Sequence, residues 1–319
     1  MIKKFAWPYS LRWLSLFIAL ALLFIGLLAS ADHHPLSAPA RQREESKTAS
    51  DSFCFAFLSD LHKGWGVFKP IMKEIASKGD SFAIIGGDVV AQDSADRYRF
   101  FFRQLATVRD SLPLYFAPGN HDVYDKSDNY GLRNFHTYCG PDQYWFSFGN
   151  AAFVVLNDAR VTISEDQFRW LESNLQQLRN AFPHIFVVMH VPTFDPQQGR
   201  SYSLRAPIGK RFMHLMERFK VDSVFTGHLH CYFRKVVNGV TYLGAPSAGG
   251  TLRCANSLYY GYIRIVVQGQ RVTDSLVKVK NERWLQLKGD VRYELRVRSS
   301  FLLPLTAVTG QSFLYFFAA

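Results

Sequence analysis

The sequence predicts an α/β fold with helices on both faces of a sheet, and three observations carry that expectation. Apolar, strand-like runs at 53–58, 81–85, 114–117, 152–156, 185–189 and 223–225 alternate with helix-like stretches at 68–78, 95–109, 165–180 and 207–219. Later runs at 232–237, 240–244, 257–267 and 271–279 lack intervening helices. They read as consecutive antiparallel strands, with Asn238-Gly239 as a hairpin turn. The chain can also fill a large core: of 319 residues, 48% are hydrophobic and 15% aromatic, with 28 Phe, which excludes global disorder.

The first 31 residues stand apart. Lys3, Lys4 and Arg12 precede an apolar stretch from Leu14 to Leu28, and Ala29-Ser30-Ala31 offers small residues for cleavage. Residues 1–31 read as a signal peptide, or as an uncleaved N-terminal membrane anchor. Both readings place the body outside the cytoplasm, as a secreted, periplasmic or lumenal protein. Residues 32–52 are polar, with Pro and Ser, and read as a flexible linker in which His33 and His34 are incidental. The body spans 53–279, and 280–319 form a basic then apolar tail. Arg292, Arg296 and Arg298 precede FLLPLTAVTGQSFLYFFAA, where Pro304 and Gly310 weaken a transmembrane helix. An interfacial or membrane anchor, a packed terminal element and a partner-binding segment all stay open for it.

The formal net charge is +11 and suits anionic partners such as phosphate esters or acidic membranes. No basic, aromatic-studded nucleic-acid-binding module is evident. Four cysteines, Cys54, Cys139, Cys231 and Cys254, permit two disulfides in an oxidising compartment, with three connectivities.

The chemistry emerges from the residues that follow each strand-like run. Asp60 and His62 follow the first, Gly86-Gly87-Asp88 the second and Gly119-Asn120-His121-Asp122 the third. His190 follows the run at 185–189, and Gly227-His228-Leu229-His230 the run at 223–225. Ligands in open α/β sheets bind beyond the carboxyl ends of the strands. Five strand ends carrying metal-competent side chains therefore point to one shared crevice. Carboxylate and imidazole suit divalent first-row metals. Gly87, Gly119 and Gly227 each precede a candidate ligand and permit close backbone approach.

D-x-H, G-D, G-N-H-D, a strand-end H and G-H-x-H, in this order, resemble the calcineurin-like metallophosphoesterase family over roughly residues 53–279. The resemblance implies a four-layer α/β/β/α sandwich carrying two metal ions. One would be held by Asp60, His62, Asp88 and His230, the other by Asp88, Asn120, His190 and His228, with Asp88 bridging. Mn, Fe, Zn or Ni would fit, and a metal-bridged hydroxide would attack phosphorus. His121 would bind a phosphate oxygen or protonate the leaving oxygen, with Asp122 orienting its imidazole. Ala91 stands where purple acid phosphatases carry Tyr, three residues after the bridging Asp. The segments 144–158 and 166–175, followed by VTYLGAPSAGG (240–250), resemble the class III phosphodiesterase-like branch. Trp170 and Leu171 then belong to the core.

The implied function is phosphate-ester hydrolysis, as a phosphodiesterase or a phosphomonoesterase. The alternative is a non-catalytic envelope binding or sensor protein on the same fold. Segments 123–143 and 193–206 lack periodicity and would carry specificity, with Arg133, Arg200, Tyr202 and Arg205 as candidate substrate contacts. His136 belongs to no block and reads as a non-ligand. Cys231, next to His230, could pin that loop through a disulfide, with Cys254 as the candidate partner.

Overall fold

The strand-like runs form two mixed sheets that face each other, as the expected four-layer sandwich requires. In the computed structural model, residues 51–108, 112–123, 131–196, 202–254 and 258–279 are described. The first sheet has the order β11-β10-β1-β2-β3. Its strands are β1 (Ser52–Leu58), β2 (Phe82–Gly86), β3 (Leu114–Ala117), β10 (Tyr260–Gln268) and β11 (Arg271–Val279). The second has the order β4-β5-β6-β7-β9-β8. It comprises β4 (Tyr144–Phe148), β5 (Ala151–Val155), β6 (His184–Val188), β7 (Ser223–Thr226), β8 (Phe233–Val237) and β9 (Val240–Gly244).

Strands β1, β2 and β3 are parallel, as are β5, β6, β7 and β9. The late strands divide between the sheets. β8 and β9 form the expected antiparallel hairpin, with Asn238 (φ 49°) and Gly239 (φ 82°) at its turn. β9, however, lies parallel to β7, while β10 crosses back to pair antiparallel with β1 and β11.

Strand alternation shows how the layers stack. Phe55, Phe57, Phe82 and Ile84 of the first sheet pack with Phe153, Val155, Phe186 and Phe225 of the second. The intervening residues face outward. Ala56, Leu58, Ala83 and Ile85 join helices α1 (Trp65–Ser77) and α2 (Ala95–Ala106). Ala152, Val154, Ile185 and Val187 join α5 (Glu165–Ala181) and α6 (Ala206–Arg218). Two further helices are short: α3 (Asn120–Val123) and α4 (Arg133–Tyr138).

Local sequence sets the helix starts. Ser94 caps α2 by accepting from Arg97 N. Ser164 and Gln167 form a capping box at α5, and Pro207 opens α6. Leu171 is buried in the α5 core and Trp170 packs against it.

All described residues belong to one compact unit, Pro39–Ala319. The unit Met1–Ala38, most of the linker, Arg200 and the tail 280–319 lie outside the described residues. Ser52, at the expected linker's end, already begins β1. Among the described residues no helix is long and apolar enough to cross a membrane.

The Phe55 ring stacks on Phe82 at 5.1 Å and meets Phe153 edge-on at 5.1 Å. Phe55→Ala therefore opens a cavity between the sheets. The expected loss is about 3–5 kcal/mol of unfolding free energy, read from urea denaturation.

Candidate metal centre

The expected strand-end residues meet where the carboxyl ends of the two sheets adjoin. One donor atom from each of Asp60, His62, Asp88 and His230 lies within 4.8 Å of the others. His62 Nε2 is 3.4 Å from Asp88 Oδ2, and His230 Nε2 is 3.3 Å from Asp60 Oδ1. The two Nε2 atoms stand 3.3 Å apart. Against the same Asp88 oxygen, His190 Nε2 is 3.5 Å from Oδ2 and 3.2 Å from Asn120 Oδ1. His228 Nδ1 lies 2.9 Å from the same Asn120 oxygen. Asp88 thus touches a donor from each of the two expected groups, His62 and His190.

The backbone at these positions is unusual. Asp60 (φ 59°), His62 (51°), Asp88 (53°), His228 (67°) and His230 (54°) all occupy the left-handed region. That conformation costs a non-glycine residue roughly 1–2 kcal/mol. Such strain persists only where surrounding structure fixes it, and it gathers at functional sites. Here main-chain bonds fix it. Asp60 N donates to Gly87 O, while Leu61 N and His62 N both donate to Asp88 O. His228 N donates to the Asp60 carboxylate at 3.0 Å, and His121 N to Asp88 Oδ1 at 2.8 Å.

Two glycines make room. A Cβ on Gly87 (φ 96°) would fall 2.4 Å from His190 Nδ1, and one on Gly119 would fall 2.3 Å from Asp88 Oδ1.

The outer ring nitrogens set the tautomers. His190 Nδ1 donates to Gly86 O at 2.8 Å, and His230 Nδ1 donates to Thr251 O at 2.5 Å. Both Nε2 atoms are therefore turned inward, as in metal-ligating histidines. Converging imidazole nitrogens around two buried carboxylates fit divalent cations better than they fit one another.

Electrostatics agree. Burial opposes ionisation of Asp60, but His230 and His190 outweigh it and hold the carboxyl at about 2. Burial also opposes the Asp88 charge, and His190 and His62 hold it well below the usual range. Burial drives His62 and His228 down to about 4, leaving neutral rings. His190 is pushed up to about 10: burial opposes its charge, but Asp88 outweighs it.

His121 borders the cluster, its ring 4.6 Å from that of His62. The expectation that Asp122 orients His121 directly is corrected. His121 Nδ1 donates to Ala91 O at 2.8 Å. The buried Asp122 carboxylate instead accepts from Val89 N, Val90 N, Gly119 N and the Tyr98 hydroxyl. Burial, with repulsion from Asp88, raises its carboxyl to about 7.

Some supports were not expected from the sequence. Asp158, just past β5, accepts from His190 N and Val191 N at 2.8 Å each, and so fixes the His190 backbone. It follows the 152–156 run in the same way that the candidate ligands follow theirs, which is the signal that marks it. The loop after β9 also contributes. Gly250 N donates to Asp60 O at 2.8 Å, and Ser247 Oγ lies 3.1 Å from that oxygen.

The substrate candidates are more dispersed. Tyr202, 49% exposed, sets its ring 6.2 Å from His228. Arg133 and Arg205 are exposed at the starts of α4 and α6. His136 pairs with Asp142 at 2.8 Å, away from the cluster's donor set. Cys231 and Cys254 form a disulfide, while Cys54 and Cys139 are free.

Comparison with known proteins agrees with this geometry. The chain is 29% identical over 170 residues to the serine/threonine-protein phosphatase CPPED1 of Danio rerio, covering 47% of this chain and 53% of that one. It is 25% identical over 196 residues to purple acid phosphatase 21 of Arabidopsis thaliana, covering 56% and 44%. The chain thus spans about half the length of the curated relatives it matches. In fold it resembles a dimetal phosphatase from Danio rerio, with a TM-score of 0.55 at 13% identity over 70% of this chain and 95% of that one. PhoD is similar, with a TM-score of 0.54 at 12% identity, covering 83% and 80%. The calcineurin-like phosphoesterase profile matches residues 54–232, more than half of the sequence, and the chain belongs to that family.

Proposed function

We propose that this protein is a metal-dependent phosphoric ester hydrolase that uses two cations bridged by Asp88. The carrying observation is the convergence of donor atoms from Asp60, His62, Asp88 and His230 within 4.8 Å. Asn120, His190 and His228 would hold the second cation with Asp88. Mn, Fe, Zn or Ni ions bound there would neutralise phosphate charge and acidify water.

The protein's own residues supply the rest. Asp60 and Asp88 are the anionic donors, and Asn120 is neutral, so a doubly loaded site stays positive and attracts phosphate. His121, held through Nδ1 by Ala91 O, presents Nε2, which in the imidazolium form would donate to a phosphate oxygen or give its proton to the leaving oxygen. Asp158 and Gly86 O hold His190 in register from its backbone and its outer ring nitrogen. Tyr202 offers an exposed aromatic face beside His228 for the organic part of the ester. The class III phosphodiesterase-like branch remains our finer reading, on the segments at 144–158 and 240–250.

An extracytoplasmic location belongs to the same proposal. Its supports are the leader-like residues 1–31 and a disulfide, which suits an oxidising compartment. The binding-protein alternative has no observation in its favour, since every expected ligand and His121 are present.

A metal-loaded panel tests the reading, with bis-p-nitrophenyl phosphate set against p-nitrophenyl phosphate. His121→Ala is expected to lower kcat by about 10²–10⁴-fold with metal content unchanged. No turnover with any loaded metal would remove the hydrolase reading, and parallel metal loss in His121→Ala would remove the role given to His121.

Proton release gives an independent check. Without metal, His190 is held protonated near neutral pH, and its raised value means that protons compete for Nε2 until the pH approaches about 10. His230 is also raised, with burial opposing and Asp60 outweighing it. Apparent metal affinity therefore rises with pH, and loading at mildly alkaline pH releases about one to two protons. Titration calorimetry in buffers of different ionisation enthalpy reads that number, and zero release would contradict ligation by His190.

A further inference from the structure

The disulfide lies beside His230, in the loop that also carries His228. Cys231 directly follows His230 and is joined to Cys254, with Cα atoms 5.6 Å apart and 23 positions of sequence separation. The segment it returns to, 247–254, supports the Asp60–His62–His230 side. Thr251 O accepts from His230 Nδ1, and Gly250 N donates to Asp60 O. Gly250 packs beneath two of the rings. A Cβ there would lie 2.4 Å from His62 Cδ2 and 2.9 Å from His230 Cε1. His190 has its own anchors, Gly86 O and Asp158.

Residues 250–254 have no helix or strand to hold them in place. The apolar cluster around the disulfide is small: Leu229, Cys231 and Cys254, with Phe233 against it. The covalent bond thus clamps the His230 segment to the loop whose carbonyl sets its tautomer, beside the hydrogen bonds from His230 Nδ1 to Thr251 O and from Gly250 N to Asp60 O. Breaking that clamp would loosen Thr251 O from Nδ1 and let the His230 ring turn away from Asp60.

We propose that Cys231–Cys254 is a redox-responsive positioning element, which keeps the Asp60–His62–Asp88–His230 site able to bind its cation only while oxidised. This rests on the two-cation reading above. Reduction breaks the S–S bond with two electrons from a phosphine or a dithiol. Each sulfur leaves as a thiol carrying a solvent-derived proton. A phosphine ends as its oxide, taking oxygen from water, and a dithiol ends as its own disulfide.

The test uses the full chain loaded with Mn²⁺ and desalted. Metal per chain is measured by mass spectrometry, and spin coupling between ions by electron paramagnetic resonance. Oxidised protein is expected to hold about two coupled ions. Protein treated with a phosphine reductant, and the Cys231→Ala/Cys254→Ala variant, are expected to hold about one uncoupled ion with unchanged circular dichroism. Reoxidation restores the second ion to the treated protein but not to the variant, and Cys54→Ala behaves as wild type. If oxidised wild type holds two ions and the reduced, folded protein also holds two, the redox inference falls alone. It falls equally if the reduced, folded protein loses both. If oxidised wild type never holds two, the two-cation reading falls and takes this inference with it.

Discussion

The Asp88 carboxylate is 1% exposed, and its negative charge must be balanced inside the protein. Its surroundings are arranged for that. His121 N donates to Oδ1, and His62 and His190 face Oδ2. Its own carbonyl receives two N–H groups from the segment after β1. Groups from three other strand ends, β1, β3 and β6, thus lean on one residue, two of them imidazole rings and one a main-chain N–H. The missing side chain of Gly119 leaves the space for it, and that of Gly87 leaves space for His190. In the metal-free protein, protonated His190 supplies the counter-charge. A bound cation would take over that task and would displace the His190 proton.

That convergence requires the two sheets to be held in fixed relation. The aromatic layer between them does so from below, with Phe55 meeting Phe82, Phe153, Phe186 and Phe225 at 5.1–5.8 Å. Close aromatic packing resists sliding, because displaced rings lose contacts on every side. Above this layer the sheets are tied directly. Ser59, past β1, bridges Ser247, past β9, and Ala248 N donates to Ser59 O. The end of the first sheet's central strand is thereby locked to the second sheet, one residue before Asp60. The left-handed turns at Asp60 and His62 start from that fixed point.

Much of this is legible in the sequence, because a buried parallel strand is a short apolar run and its polar terminus is abrupt. The runs at 114–117, 240–244 and 271–279 coincide with β3, β9 and β11. What periodicity cannot show is which sheet a strand joins. β9 and β10 follow one another, yet they belong to different sheets, a choice made by long-range packing. Disulfide pairing is likewise invisible to spacing. The short helix α4 falls in a segment without periodicity because six residues make too few turns to show a stripe. Asp158 illustrates a different limit. Its position obeys the strand-end pattern, but it serves the backbone N–H of His190 rather than facing the other donors, and chain position alone does not separate those roles.

Asp122 shows why adjacency in sequence misleads. His121 and Asp122 lie in the short helix α3, where successive side chains diverge by about 100°. They therefore grip neighbouring residues of one loop. Asp122 holds Val89 N and Val90 N, and the next residue, Ala91, presents its carbonyl to His121 Nδ1. Asp122 thus reaches His121 through the 89–91 segment, which begins immediately after Asp88. The G-D and G-N-H-D blocks form one mechanical unit, in which a buried carboxylate shapes a loop and the loop's backbone sets the imidazole. The contact at residue 91 comes from the main chain, so its side chain is free to differ. The purple acid phosphatase pattern has Tyr there and this chain has Ala, and the carbonyl that holds His121 remains available in either case.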